Sequence, residues 1–597
     1  MKSFLKTVFY FNRSKIDTFK GIRQGLLMII PALLGYYFGF FSFGLLIATG
    51  TLAHIYVFKG SPQSMIRTVV LCSLAFAVCM ILGTLTAAQP LIFGILLLVV
   101  TVVPFYIFTA LKIAGPSSTF FIVTFCLPMN LPIAPDQALV RGLGILIGGA
   151  FATLVVILTV YMKKERTEDS AINSDFKVIQ DLMKNYNEPE EFKKVATSAV
   201  SAFKASDKLL ITSSSSNGKL STRFQKLLLL HTSAQGIYSE LLELNEKGTR
   251  PLPNELIEML DFIIDKIRHP SSNHQTWKKE VDVSPEFENL ISHILKIDEI
   301  AHADSEHLEH EANIRKPLYS KRIIQNLTLD SLVFRNTLRY TVIIAVAIFV
   351  ALFFGFDKAY WIPLSAHTLL LGTSTIHTLE RGMARSLGTL LGVVVLSGIL
   401  AFTVPAPLAV ILMGFGAMMT EAFVGVNYTF AVIFITIQVI LLNGLASQNL
   451  SISIAFPRIV DVAMGVAIAL LGLFILGQRT ASALLPNTIA DVVRQEAKFF
   501  HYLFSSNEYK NEEQEKHLNL ILSVRLNNMT QMYNAANGEL FSNKSVIQYY
   551  YPSIFALEEI SFMLSRALND KNRTRIDDQQ MGEYLSLIHI SEPTRLG

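Results

Sequence analysis

Charged and polar positions vanish from this chain in two long blocks, each broken into apolar runs of helical length. The first block holds six runs, at about 23–40, 41–57, 66–86, 90–111, 115–131 and 141–162; the second holds six more, near 336–355, 359–377, 384–403, 406–424, 426–444 and 457–478. A helix rises 1.5 Å per residue, so about 20 apolar residues cross the roughly 30 Å of a bilayer's hydrocarbon. The pattern therefore predicts twelve membrane spans. Pro90, Pro128, Pro132 and Pro135 fall in the connections, where a residue without an N–H suits a helix end.

Outside these blocks the pattern changes to apolar residues spaced near 3.6, the mark of amphipathic helices. Helices are predicted at 188–209, 219–246, 253–268 and 284–313, broken by Ser213–Ser216, Pro251, Pro253 and the His269-Pro270 stretch. The tail predicts three more, at 487–506, 513–536 and 545–568. The expected fold class is an all-α polytopic membrane protein. Its predicted organisation is an N-terminal interfacial segment (1–22), a first six-helix transmembrane repeat (23–162), a cytoplasmic helical domain (163–335), a second repeat (336–478) and a C-terminal cytoplasmic helical domain (479–585). The closing residues 586–597 resemble nothing else in the chain and read as a non-native tail.

Two signals sharpen this plan. Lys and Arg favour the cytoplasmic flanks of spans. Lys15, Lys20, Arg23, Lys59, Arg67, Lys112, Lys163, Lys164 and Arg166 lie at alternate connections of the first block, and Arg335, Arg339, Arg381, Arg385 and Arg479 follow suit in the second. Both termini and the insert are thus expected inside. The blocks also look like copies: Arg23 corresponds to Arg339 at an offset of 316, Arg67 to Arg385 at 318, and Arg141 to Arg458 at 317. An even number of spans per copy makes the repeats parallel, related by an axis along the membrane normal.

Composition agrees with a membrane protein: 16% of residues are charged and the mean hydropathy is +0.42, against about 25% charged in soluble domains. A net charge of +4 with no Lys/Arg-dense face gives nucleic-acid binding no support. Cys72, Cys79 and Cys126 lie in apolar runs without partners at metal-ligand spacing and read as buried structural thiols. No phosphate-cradling glycine loop, zinc pattern or catalytic elbow is present, so no enzyme, cofactor or metal is expected.

Ionisable groups inside spans need a reason, because a central charge costs about 2.5–3.5 kcal/mol on insertion scales. Lys112 and Glu421 fall near the cytoplasmic ends of corresponding spans, where they can pair across the pseudo-symmetry axis, bind substrate and proton, or snorkel to the interface. Asp461 follows Arg458 by three residues, a spacing that allows a local pair or a role in transport. His367, two turns into its span, suits either proton coupling or a hydrogen bond between helices. Arg67 and Arg385 can attract a carboxylate at the inner mouth or serve orientation alone. Gly144 with Gly148, and Gly388 with Gly392, let helices approach closely, while Tyr360 and Trp361 are expected in the outer aromatic belt.

Four motifs carry a resemblance: Tyr360-Trp361-Ile362-Pro363; Arg385-Ser-Leu-Gly388-Thr389-Leu-Leu-Gly392; Asn427-Tyr428-Thr429-Phe430; and Arg458-Ile-Val-Asp461-Val-Ala-Met-Gly465. With them the chain resembles the fusaric acid resistance, or aromatic acid exporter, family of membrane transporters, with the plant malate-channel family as a more distant relative. The first block departs from the pattern: Phe43 stands where Trp361 does, and Gly144 replaces Asp461. The resemblance implies an exporter of small aromatic or organic acids; the expected function is a multi-pass plasma-membrane exporter of small organic anions, in particular aromatic carboxylic acids, driven by the proton gradient since no nucleotide-binding motif is present. An anion channel and a membrane-anchored scaffold without transport are the alternatives. Lipid, the organic anion and a second copy of the chain are the expected partners.

Overall fold

The structure is a computed structural model that describes residues 16–57, 62–111, 113, 115–162, 167–213, 222–268, 284–302, 323–324, 326–329, 331–354, 360–371, 375–451, 455–476, 481–505, 512–537, 547, 550–569, 575–577 and 579–583. It divides into two compact units, one of residues 1–57, 69–155 and 318–597, the other of residues 58–68 and 156–317. Among the described residues there is no β-strand.

The first apolar block forms α1 (Thr18–Tyr37), α2 (Phe41–Gly50), α3 (Pro62–Thr86), α4 (Pro90–Ala110), α5 (Thr119–Cys126) and α6 (Ala138–Met162). Tight 3-10 turns extend α2 through Thr51–Tyr56 and α5 through Leu127–Asn130. The second block forms α12 (Leu332–Phe353), α13 (Trp361–Leu370), α14 (Thr375–Leu400), α15 (Ala406–Phe423), α16 (Tyr428–Ala446) and α17 (Ala455–Leu476). Between the blocks lie α7 (Thr167–Lys184), α8 (Pro189–Ser213), α9 (Thr222–Glu246), α10 (Asn254–Arg268) and α11 (Glu288–His302), and the tail adds α18 (Ala481–Phe504), α19 (Glu512–Asn537) and α20 (Tyr551–Asn569).

Each of the twelve predicted spans thus has a helix, but among the described residues only eight of these helices are long and apolar enough to cross a membrane: α3, α4, α6, α12, α14, α15, α16 and α17. The expectation of twelve full spans is corrected for the other four. With its turn α2 covers Phe41–Tyr56 and α5 covers Thr119–Asn130, while α13 has 10 residues. Ten residues rise about 15 Å, half the hydrocarbon thickness. The 20-residue α1 has Lys20, Arg23 and Gln24 in its first turns. α1 begins at Thr18, within the stretch 1–22 expected as an interfacial segment; residues 1–15 lie outside the described set, as do 586–597.

Local chemistry explains several boundaries. The Asp17 carboxylate caps α1 by accepting from the Lys20 N–H at 2.9 Å, and Asn427 caps α16 through the Phe430 N–H at 2.9 Å. Pro90 opens α4, where its missing N–H leaves nothing unsatisfied.

Packing in the larger unit relies on small residues. A Cβ added at Gly148 of α6 would sit 2.0 Å from the Ile47 carbonyl oxygen of α2, and one at Gly465 of α17 would sit 2.5 Å from the Ile362 carbonyl oxygen of α13. On α14, Gly388 and Gly392 admit Val432 and Thr436 of α16 in the same way. The first helix of each block packs on the fourth helix of the other. Gly21 and Gly25 bring α1 against Met418 and Gly414 of α15, while Phe105 of α4 stacks on Tyr340 of α12 at 3.8 Å between ring centroids.

The tail helices pack around Leu485, Val492, Phe499 and Leu503 of α18, with Leu522 and Met529 of α19 and Ile554 and Leu564 of α20. In the smaller unit, α7 was not anticipated from the pattern. Its Asp175 is buried, accepting from Ser206 Oγ at 2.7 Å and lying 2.7 Å from His231 Nδ1, so it ties α7 to α8 and α9.

Candidate functional site

Among the described residues, the seam between α13 and α17 gathers several buried polar groups without partners. It exists because Gly465 has no side chain: α17 comes close enough that a Cβ there would lie 2.7 Å from Ser365 Cβ as well as against the Ile362 carbonyl. One and two turns back from Gly465 on the same helical face stand Asp461 and Arg458. The Arg458 guanidinium carbon consequently lies 4.2 Å from the centroid of the Trp361 ring, a cation–π contact.

Both charged residues are nearly sealed, Arg458 at 3% and Asp461 at 1% exposure. No ion pair joins them among the described residues, although each feels the other's charge. Among the described residues, Arg458 Nε and Nη1, Asp461 Oδ2 and Ser365 Oγ have no hydrogen-bond partner. Leaving a buried donor or acceptor unsatisfied costs about 1–3 kcal/mol, more when it is charged. Unpaired donors of a cation beside an aromatic face are the equipment for holding an anion.

At the start of α13 the seam is anchored by side chains from three elements. Asn130, at the end of the turn after α5, donates from Nδ2 to the Tyr360 hydroxyl at 2.6 Å and to Asn443 Oδ1 of α16 at 2.9 Å. Tyr360 and Trp361 are 4% and 5% exposed. Their expected place in an outer aromatic belt is therefore corrected: they are interior residues, because α13 is a short helix packed within the protein rather than a full span. Asn130 and Asn443 were missed by sequence reasoning; an amide near the end of an otherwise apolar run was the available signal.

Arg385 of α14 is 4% exposed, its Nε has no partner among the described residues, and it lies within electrostatic reach of Arg458. One turn earlier Arg381 donates from Nε to the Thr368 carbonyl at 3.2 Å and covers the Tyr428 ring at 4.6 Å. Arg381, Arg385 and Arg458 thus place three guanidinium groups around α13, α14, α16 and α17.

His367 is fully buried and occupied at both nitrogens. Nδ1 meets the Tyr340 hydroxyl of α12 at 2.5 Å, and Nε2 meets Thr119 Oγ1 at 3.1 Å, so the ring joins α13 to α12 and α5. In the first block His54 Nδ1 meets Gln24 Oε1 of α1 at 3.2 Å.

Glu421, on α15, pairs with Lys20 of α1 at 2.8 Å, an ion pair rather than an aligned hydrogen bond. The expected pairing of Glu421 with Lys112 gives way to this contact; Lys112 itself lies outside the described residues. Lys20 was read only as an orientation signal, because nothing local in the sequence indicates that α1 crosses to α15. Arg67 is exposed on the first turns of α3 and belongs to the smaller unit. Gly144 packs against Leu46 and Phe43, Gly148 against Ile47 and Gly50, and Gly388 and Gly392 against α16. Among the described residues no group of three or more His, Cys, Asp or Glu could hold a metal ion.

Residues 345–472, which contain this seam, match the family model described as fusaric acid resistance protein-like. The chain is 23% identical to the membrane protein YvaC of Bacillus subtilis (strain 168) over 98% of its own length and 91% of the relative's. It is 27% identical to the inner membrane protein YccS of Escherichia coli (strain K12), over 25% of this chain and 20% of that one. No solved structure matches the chain.

Proposed function

We propose that this fusaric acid resistance-like, multi-pass membrane protein exports small organic anions across the plasma membrane, with aromatic carboxylic acids as the substrate class and the proton gradient as the drive. The observation that carries the reading is the Arg458 guanidinium, buried inside the family-matched segment with Nε and Nη1 unpartnered among the described residues and the Trp361 ring on its face. A fixed cation desolvated in this way attracts a carboxylate far more strongly than one in water. Asp461, one turn away with Oδ2 unpartnered, is the group that would carry a proton past it.

The remaining parts of the proposal follow from the helix arrangement. The reciprocal packing of α1 on α15 and of α12 on α4 is what two parallel six-helix copies around an axis normal to the membrane would produce. In that arrangement both termini and the helical insert face the cytoplasm, and Arg381 and Arg385 line the inner approach to the Arg458 seam.

The test is efflux of a panel of aromatic and aliphatic carboxylates from cells with and without the protein, at set pH gradients. Saturable export of aromatic acids that rises with the gradient is expected. Equal retention across the panel in both strains would overturn the reading, and a current through planar bilayers that ignores the proton gradient would replace the carrier with a channel.

A further inference from the structure

We infer that each chain holds one carboxylate subsite, built in the second block alone from Arg458 and Trp361, and that Asp461 limits it to ligands with a single negative charge. The inference rests on the transport reading above and adds where the anion binds, how many bind and which charge is accepted.

The single site follows from comparing equivalent positions. Arg141 occupies in the first block the place Arg458 holds in the second, at an offset of 317. Both arginines are buried, at 5% and 3% exposure, but their hydrogen bonding differs. Arg141 donates from Nη2 to the Pro132 carbonyl at 2.7 Å, in the connection just before its own helix, whereas Arg458 Nε and Nη1 find no acceptor among the described residues. The aromatic partner differs too. Phe43, which stands where Trp361 does, has its ring edge against Gly144, which stands where Asp461 does: a Cβ at Gly144 would be 3.1 Å from Phe43 Cε2. The first-block seam is thus filled by hydrocarbon, and its arginine is spent on a backbone carbonyl. In the second block the indole covers one face of the guanidinium at 4.2 Å and leaves the Nε and Nη1 donors for a ligand.

Charge selection follows from Asp461. Its side chain is 1% exposed and lies one turn from Arg458, so a ligand carboxylate on Arg458 neutralises the cation while a second negative charge would face Asp461 in a medium that screens poorly. Further along the seam the unpartnered Ser365 Oγ can donate to or accept from the bound ligand.

The sequence offers a direct reporter. Trp277 and Trp361 are the only tryptophans, so in a Trp277→Phe background all indole emission comes from the residue stacked on Arg458. The experiment titrates full-length protein in lipid nanodiscs with benzoate and with phthalate, following Trp361 emission and measuring stoichiometry by calorimetry. The same proteins in liposomes are assayed for benzoate flux.

Expected results are a saturable change at one benzoate per chain and phthalate weaker by about tenfold or more. Arg458→Gln should weaken benzoate by about 30-fold or more, as expected when one side of a buried charged hydrogen bond is removed. Arg141→Gln should leave affinity within about twofold. Arg458→Lys keeps the charge but loses the planar fork, and should also weaken binding while preserving the thermal midpoint, which separates lost recognition from lost folding. Two benzoates per chain, equal losses in the Arg141 and Arg458 variants, or phthalate binding as well as benzoate would overturn the inference. Undiminished benzoate flux and binding in Arg458→Gln would overturn it while leaving transport standing. Absence of any carboxylate flux in the wild-type liposomes would instead remove the transport reading on which it rests.

Discussion

Three glycines on α14 provide an internally controlled test of how its packing is held. Gly388 and Gly392 face α16: a Cβ at the first would lie 2.7 Å from the Thr429 carbonyl oxygen and 2.7 Å from Val432 Cβ, and at the second 2.8 Å from the Ile433 carbonyl oxygen and 2.8 Å from Thr436 Cβ. Gly398, on the same helix, would meet nothing within 4 Å. The backbone atoms at the first two positions have no rotamer to change, so alanine must push α14 and α16 apart. Overpacking of this kind costs about 1–3 kcal/mol. At Gly398 the same substitution brings only the better helix propensity of alanine, about 0.5–1 kcal/mol in favour of the folded state. Gly388→Ala and Gly392→Ala are therefore expected to lower the thermal midpoint and Gly398→Ala to hold or raise it. Cys72, Cys79 and Cys126 are buried and free, so a thiol-reactive fluorophore in detergent solution reports unfolding without any added label site. The variants must be heated at one scan rate, since unfolding of a polytopic protein is a rate as much as an equilibrium. Equal shifts of the same sign at all three positions would refute the argument from close helix contact.

Removing Lys20 as Lys20→Met leaves Glu421 buried without its counter-charge and should destabilise the protein by about 3–5 kcal/mol, while the double variant Lys20→Met, Glu421→Gln should recover most of that loss; chemical denaturation of the four proteins of the cycle measures the coupling. In the tail bundle, burial pushes the Glu496 carboxyl up to about 8 from an ordinary 4.5, with the hydrogen bond from Ser561 Oγ partly opposing the shift. Its folded pKa being raised, the stability it contributes is complete below pH 4.5 and is lost as pH rises to about 8, where the folded state must finally give up the proton. Hydrogen exchange in α18 should accordingly quicken between those limits, and Glu496→Gln should flatten the profile; a profile identical in the two proteins would count against the buried acid. Tyr360→Phe deletes the acceptor of the 2.6 Å bond from Asn130 and should cost about 1 kcal/mol in thermal stability, with the Asn130–Asn443 bond left to hold the start of α13.

Where helices form was legible in the residue pattern, since an apolar run can satisfy its backbone in lipid only by coiling on itself. The positions of α3, α4, α6, α12, α14, α15, α16 and α17 follow from that rule, as do most of the amphipathic helices of the insert and tail. Local spacing also marked Arg458 and Asp461 as one face of a helix, and Gly388 with Gly392 as a close contact between helices. Helix length inside the bundle was not legible: the run containing Trp361 has the composition of a span, yet its own helix covers Trp361–Leu370, and the last residues of the run, from Thr375, already belong to α14. Apolar composition is the same whether a residue faces lipid or protein, so the pattern could not separate an aromatic belt from a buried Tyr360 and Trp361.

Partnership across the chain belongs to the tertiary structure alone. Lys20 meets Glu421, Asn130 meets Asn443, and Tyr340 meets His367 because particular helices lie side by side, and no local pattern encodes which helix that will be. The same holds for the difference between Arg141 and Arg458, 317 residues apart in sequence and unlike in the fold: one finds a carbonyl in its own connection, and the other stacks on an indole with Nε and Nη1 open among the described residues. Hydrophobic periodicity acts over a few turns of one helix, whereas the pairing of charges depends on distances between helices hundreds of residues apart in the chain.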